Sequence, residues 1–564
     1  MKKLLIFILI LIYQSNCHSQ QLNLKISGEN SFETTSIDSL NYQTIHPNLN
    51  SIQNTITQLN ERLIKKGFLE CKIIEIKKIN DTTYQAKLNL KKKIRYITIY
   101  SDENNLLSKT AKPTLKSNSV TLHYSETDNF LKNTLKKLEI EGYPLSKLKF
   151  LNTTINNDTL YTNLNIVYNQ QKKINAIVVK TEDKSASIFP KSHLYQISQK
   201  YKNKILTKDI VNQLYLDFQK FNYIDQIKYP EILFLKDSTK IYIYLEKRKA
   251  NTFDGFIGFN NNEKNKLKVN GYLDLNLENT IKSGERIAIF WKSDGNQQTT
   301  FKANLEIPYL FKTPLALKTE LSIFKQDSTF QNTKTGINIG YLFNYNSKIY
   351  LGYSATTSSD IQNTNSTIIT DYKNSFFTMN YEYLNKNQLL TYETKSSIKI
   401  KSGFGKRNLL TENPNLSTNK QFFIESEITY VFYINKKNNI NLRNQTYFLQ
   451  SKEYLNSELY RFGGINSIRG FEENSLQASS YLTFLSEYNH IVNSNFKIHT
   501  LLDYSILKNS EPEKNSTKIF ALGGGITINN KNNNLKLLIA SGNQNIKTIR
   551  FNNTIIHIQY TVKF

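Results

Sequence analysis

Beyond Asn251 the chain alternates apolar and polar residues in segments of about ten, the spacing of strands with one face in lipid. Leu267, Val269, Leu273, Leu275 and Leu277 share a face, with Gly271 in line. Lys268, Asn270, Asp274 and Asn276 take the other. Phe301, Ala303, Leu305, Ile307 and Tyr309 repeat the pattern, as do Leu315, Leu317, Leu321 and Ile323. Further copies are Ile337 to Tyr345, Ile440 to Phe448, and the last one, Ile556, Ile558, Tyr560, Val562 and Phe564. Asn, Ser, Gly and Asp fill the gaps. A membrane barrel bonds every backbone group and has no free edge, and such a series is its signature. The roughly 310 residues after Asn251 allow about 16 strands at about twenty residues per strand and connection. A secreted β-sandwich, the competing architecture, accounts for neither the many successive alternating segments nor the aromatic last strand.

Before Asn251 the period changes. From about Leu22 to Lys249 a unit recurs, reading strand, helix, strand, strand, and a recurring unit of this size marks repeated modules. In the first unit Leu24 to Ile26 is a strand. Leu49, Ile52, Ile56, Leu59 and Leu63 then form one helix face, stopping at Gly67-Phe68. Strands at Cys71 to Lys78 and Tyr84 to Leu90 follow. The second unit has a strand at Ile94 to Tyr100 and a helix from Ser125 to Glu141 that carries Leu131, Leu135 and Leu138. Ser125-x-x-Asp128 resembles a capping box at its start. It ends at Gly142-Tyr143-Pro144, before strands at Lys147 to Leu151 and Leu160 to Val167. In the third unit, Ile174 to Val179, a helix near Thr207 to Phe221, Ile232 to Leu235 and Ile241 to Leu245 play these parts. Phe221-Asn222-Tyr223 stands where the others have glycine. The expected fold is three α+β modules, at 21–93, 94–171 and 172–249, followed by a 16-stranded antiparallel barrel at 250–564. Small sheets of this kind expose edge strands that can pair with extended peptides.

Residues 1–20 read as a signal peptide: Met1-Lys2-Lys3, an apolar run from Leu4 to Tyr13, then polar residues, with cleavage near Ser19-Gln20. A lipoprotein site at Cys17 is the alternative, although Gln14 and Asn16 are poor fits to the small residues it prefers. The run is too short to span a bilayer as a helix. The chain has 2 Cys, so the mature part holds only Cys71 and no internal disulfide. The formal charge of +27 would suggest nucleic acid in a cytosolic protein, but export argues against that partner. The charge is spread through a Lys-, Ile- and Asn-rich chain and can favour anionic lipid head groups. The 35 Tyr and 32 Phe suit the aromatic girdles of a barrel.

One stretch departs from the alternation: Gly463-Gly464-Ile465-Asn466-Ser467-Ile468-Arg469-Gly470-Phe471. It is either a solvated loop with one arginine or a loop folded into the lumen with its arginine tied to an acidic wall residue. Ile468-Arg469-Gly470-Phe471 matches the (Val/Ile)-Arg-Gly-(Phe/Tyr) motif of the BamA/TamA family of outer-membrane assembly factors, barrels preceded by POTRA modules. Five candidate strands follow it, near 480–490, 497–506, 518–529, 534–541 and 554–564. That order puts it between strands 11 and 12, where the family carries its sixth extracellular loop. The three-module layout is most similar to that of TamA.

The resemblance implies that the loop enters the lumen and that Arg469 pairs with acidic wall residues. Leu501-Leu502-Asp503-Tyr504-Ser505 resembles the family's Phe-x-Asp-x-Gly segment, with leucine for the aromatic residue and serine for the glycine. Asp503 is thereby the first partner and Glu487, one strand earlier, the second. Ile556, Ile558, Tyr560 and Phe564 resemble the terminal β-signal that assembly machinery reads. The resemblance also implies a seam between first and last strands that opens sideways. Gly255, Gly258 and Phe564 lie there, and glycine in a strand weakens pairing.

Nothing in the sequence points to catalysis, a cofactor or a metal. Gly352-Tyr353-Ser354-Ala355-Thr356 misses the Gly-x-Ser-x-Gly pattern by its last residue, and His-Glu-x-x-His is absent. His18, His46, His123, His193, His490, His499 and His557 lack ligand spacing. The expected function is insertion or translocation of proteins at the outer membrane, with client strands templated on module edges and then on the opened first strand. The partners implied are membrane lipid, unfolded client outer-membrane or secreted proteins, and a TamB-like inner-membrane-anchored protein. The modules would lie in the periplasm. A pore dedicated to one secreted partner, in the manner of two-partner secretion, and a purely structural barrel are the alternatives.

Overall fold

The computed structural model describes residues 21–564 except 101–118, 168–169, 182–187, 237, 262–266, 294–297, 363–369, 387–393, 411–417, 509–515, 531 and 545–553. The signal-peptide reading and Cys17 lie outside the described residues. One compact unit runs to Lys173 and includes Lys204–Ile210; the other holds Ile174–Asn203 and Val211–Phe564.

In the first unit two four-stranded sheets follow one another. The first has the order Ile45–His46, Leu22–Ser27, Thr83–Asn89, Lys72–Lys78, with its two central strands parallel. Asn48 caps the helix Leu49–Lys65 by accepting the Ser51 amide, and Ile52, Ile56, Leu59 and Leu63 bury onto Leu24, Ile26, Ala86 and Leu88. Leu49 stays exposed. The second sheet repeats the order with Ser119–His123, Tyr96–Tyr100, Thr159–Val167 and Lys147–Asn156. Here the expected capping box does not form. The helix is Thr127–Ile140, with no side-chain cap of its own; it is entered through a 3₁₀ turn whose start His123 caps by accepting the Ser125 amide. Leu138 is buried but Leu135 is exposed, so this helix grips its sheet over a shorter stripe.

The third sheet lies in the other unit. Its central strand Thr239–Lys247 pairs in parallel with Ala176–Thr181 and antiparallel with Glu231–Phe234 and Ile224–Gln226. One junction recurs after each module's helix. The Gly67 carbonyl accepts the Ile94 amide at 2.8 Å, and the Gly142 carbonyl accepts the Lys172 amide at 2.8 Å. Gly67 has φ +104°, and a Cβ there would meet the Ile94 carbonyl oxygen at 2.2 Å, so the turn requires glycine. In the third module Tyr223 takes this role for the Arg248 amide, and the Arg248 guanidinium adds a bond to Asp225 at 2.9 Å.

Among the described residues sixteen antiparallel strands, from Thr252–Asn261 to Thr554–Lys563, close into a barrel. Its outer face is apolar: Ile337, Ile339, Tyr341, Phe343, Leu351, Phe377 and Phe404 are all exposed. That surface suits hydrocarbon rather than water. The inner face carries charge in pairs, including Lys348 with Glu306 and Lys401 with Glu320. The third module seats on the turns at one end of the barrel. His193, on the helix Lys191–Tyr201, is fully buried and meets the Tyr309 ring edge-on at 4.8 Å and the Tyr345 ring at 5.7 Å. Tyr345, expected on the outer face, is instead buried in this seat. A Cβ on Gly284 would lie 2.0 Å from the His193 ring. Asn279 donates to the Ile188 carbonyl at 3.1 Å and Asn222 to Glu278 at 2.9 Å.

Candidate functional site in the barrel lumen and at its seam

The stretch from Ser451 to Ser479 joins the eleventh strand, Asn438–Gln450, to the twelfth, Ser480–Asn493. It is a hairpin, not an open coil. Tyr460–Phe462 pairs antiparallel with Leu476–Ala478, and the glycine-rich motif forms the tip. Gly463, Gly464 and Gly470 all have positive φ, so the bends at the tip depend on glycine. The tip lies in a small apolar core inside the barrel. Phe462, Ile468 and Ala478 bury with Tyr481, Leu485, Leu507, Ile519 and Ala521 of the wall. Phe462 stacks on Tyr481 at 4.3 Å, and Ile465 joins Leu501, Leu538 and Ala540.

Within that core Arg469 is 5% exposed, Asp503 0% and Glu487 8%. Asp503 stands on the thirteenth strand, Phe496–Lys508, and Glu487 on the twelfth. Asp503 Oδ2 accepts from the Arg469 amide at 3.0 Å and from Nε at 2.8 Å, and Oδ1 accepts from Nη2. Glu487 Oε2 accepts from Nη1 at 2.7 Å, and the Ser486 carbonyl from Nη2 at 3.2 Å. A planar guanidinium grips two carboxylates in fixed directions, which an ammonium cannot do. Out of water such a set holds only while complete, since removing one member strands a buried charge.

Two neighbours were not singled out from the sequence. Lys536, on the fifteenth strand Asn533–Asn543, reaches Glu487 at 3.2 Å, and His499 reaches it at 3.2 Å. The Ser505 hydroxyl bonds that of Thr483 at 2.6 Å. His499 also contacts Thr527 Oγ1 at 2.6 Å and Asn489 Oδ1 at 2.5 Å. This row resembles a nucleophile, base and orienting group. His499, Thr527 and Asn489 are buried, and none of them is among the described residues that line the lumenal cavity; Glu487 is bonded to Arg469.

Beyond the arginine the tip touches the fifteenth and third strands, which lie to either side of the two seam strands. The Gly470 backbone lies against Gly542 of the fifteenth strand: a Cβ on Gly470 would meet the Gly542 amide nitrogen at 2.5 Å, and the Phe471 ring covers Gly542. On the other side Glu473 pairs with Lys292 of the third strand, Arg286–Ser293. A cavity of about 980 Å³ remains beside the loop, lined by Glu306, Lys318, Glu320, Lys401 and Glu425 among others.

The seam itself is short. The twelfth and thirteenth strands pair from Ser480↔Lys508 to Asn493↔Phe496, whereas among the described residues the first and last share Thr252↔Lys563 and Phe253↔Val562 alone. The Phe564 amide adds a bond to the Asn251 carbonyl at 3.1 Å. Continued, this register would set Gly255 against Tyr560 and Gly258 against His557, but the ladder stops short of both. Gly255 has a second reason to be glycine, because a Cβ there would meet the Tyr272 carbonyl at 2.6 Å. Gly258 lies opposite Asn270 in the second strand. Ile556, Ile558, Tyr560 and Phe564 are exposed along the last strand.

No family model and no curated protein matches the sequence. Among solved structures, CdiB from Acinetobacter baumannii superposes with a TM-score of 0.50 at 11% identity, covering 90% of this chain and 97% of that one. The chain has the fold of CdiB. BamA from Haemophilus ducreyi lacking POTRA domains 1–3 gives a TM-score of 0.49 at 13% identity over 82% of this chain and 98% of that one. CdiB from Escherichia coli gives 0.48 at 11% identity over 91% and 98%. At such identities a likeness speaks for fold alone, so the reading of the site rests on its own residues.

Proposed function

We propose that the chain is an outer-membrane protein insertion or translocation factor whose first and last barrel strands part to receive a client strand. The short seam carries this reading. A barrel closed by a full ladder would lose many hydrogen bonds on opening, whereas this one loses the pairs at Thr252 and Phe253 and the Phe564–Asn251 bond. A client strand added there keeps the freed backbone bonded while it enters lipid. The modules, in the periplasm, offer the preceding step. Lys72–Lys78 and Lys147–Asn156 are edge strands, with Ile73, Ile74, Ile76, Leu151 and Ile155 exposed among lysines and polar residues. Such an edge accepts an extended peptide, while its lysines discourage self-association. Client outer-membrane or secreted proteins are the partners, and a TamB-like inner-membrane-anchored protein suits the three-module layout.

Secretion through the lumen is the rival, and the hairpin core inside the barrel weighs against it. The test is a disulfide between Thr252→Cys and Lys563→Cys, with Cys71→Ser to avoid mispairing, in proteoliposomes given an unfolded client barrel. Locked protein should fail to assemble the client and recover on reduction. Client assembly at the normal rate through a locked seam contradicts the proposal, and secretion that persists through it favours the pore.

A further inference from the structure

The motif arginine is not the only buried clasp on this hairpin. Arg407 lies on the ninth strand, Thr394–Leu409, and faces the lumen with 2% of its side chain exposed; Glu458, on the hairpin's first limb, has 3%. Arg407 Nη1 donates to Glu458 Oε1 at 2.6 Å and to the Glu453 carbonyl at 3.3 Å. The remaining capacity of Glu458 is also used: Oε2 accepts from Gln421 at 3.0 Å, and Oε1 from the Leu455 amide at 3.1 Å. Beside it the Ser457 carbonyl accepts from Asn332, and Tyr460 donates to Glu425 at 3.1 Å. This limb is therefore fixed to strands six, nine and ten. The motif limb is fixed to strands twelve, thirteen and fifteen. The polarity is reversed, with the arginine on the wall and the carboxylate on the loop.

We propose that Arg407 and Glu458 are a second, independent positioning pair that keeps the hairpin across the lumen, so that unlatching Arg469 frees only the tip. The inference rests on the reading of the hairpin as a lumenal latch and requires nothing of clients. With the pair intact, release of the tip leaves the first limb in place, so the barrel opens only a little. Each pair holds a different limb, and their effects on lumen opening multiply because they share no partner.

The experiment measures ionic conductance of the full chain in planar bilayers, with heat-modifiable gel mobility confirming folded barrels. Arg469→Ala and Glu458→Gln should each raise conductance by a small factor, and the double variant by about the product of the two. Hydrogen exchange should separate the limbs: Glu458→Gln speeds amides at 455–460, and Arg469→Ala those at 465–471. Should Glu458→Gln fail to fold, Gln421→Ala removes one bond to Glu458 and should give the same order at smaller amplitude. Two results overturn the proposal: Arg469→Ala alone conducts as much as the double variant, or Glu458→Gln changes neither conductance nor exchange at 455–460. A chain that shows both clasps yet assembles no client refutes the functional reading and leaves the clasps standing.

Discussion

Two junctions of the same barrel are built in opposite ways. Between the twelfth and thirteenth strands the ladder is long, the inner face is sealed by the hairpin core, and a buried arginine ties Glu487 to Asp503. Between the first and last strands the ladder ends at Phe253. Strand pairing closes a barrel, so on the proposed reading the short ladder is where this one yields. The hairpin grips the strong junction, and near the weak one it contacts the fifteenth strand through Ile465 and Gly470 and the third through the Lys292–Glu473 pair.

The comparison breaks most readily at Arg469. Arg469→Ala leaves Asp503 and Glu487 buried together, and loop docking should weaken by about 3–5 kcal/mol. Protease cleavage within 463–475 should rise sharply while the barrel stays folded. Arg469→Lys should recover little, because an ammonium cannot bridge both carboxylates in the guanidinium's geometry. A protease-resistant Arg469→Ala loop would refute the latch.

A somewhat smaller effect is expected at the glycine contact. Gly542→Ala places a methyl against the Gly470 carbonyl and the Phe471 ring, a clash that overpacked sites resolve at about 1–3 kcal/mol. It should loosen the tip without touching the ion pairs, detectable as faster exchange at 468–472. At the opposite rim, burial, with Lys348 and Arg286 nearby, pushes the His193 imidazole down to about 3. The seated histidine is neutral, so seating is complete above the free value near 6.5 and is lost as pH falls from there toward 3. The seating equilibrium should weaken by up to about tenfold per pH unit across that window. Exchange of the helix Lys191–Tyr201 follows it, and His193→Phe should remove the pH dependence. Unchanged exchange at pH 4 would contradict the seat. The least effect is expected at Lys292–Glu473, which is about one-third exposed: Glu473→Gln should change loop docking by about 0–1 kcal/mol.

How much of this was legible follows from what periodicity can carry. The outward rows from Ile337 to Phe343 and from Ile556 to Tyr560 alternate cleanly because lipid accepts only one kind of residue. The helix Leu49–Lys65 shows itself through one apolar stripe. The helix Ser31–Asp38 does not, since it is rich in Ser and Thr and buries little beyond Ile37. The strands Ile45–His46 and Ile224–Gln226 are too short for any period. Arg469 stands out because glycines isolate it. Arg407 sits in an ordinary alternating strand beside Lys406, and its partner Glu458 is 51 residues away in a loop. One signal for the lumenal core was present: on the thirteenth strand Leu501 and Leu507 face inward while Ile498 and Leu502 face outward. A strand apolar on both faces has something packed inside the barrel.

Hydrogen exchange of the two junctions in one lipid-reconstituted sample tests the central claim most directly. Seam-facing amides of 255–261 and 554–560 should exchange orders of magnitude faster than amides pairing the twelfth and thirteenth strands, and the disulfide at 252 and 563 should slow them. Equal protection at the two junctions would mean that the seam is closed along its length, and lateral opening would have no structural basis.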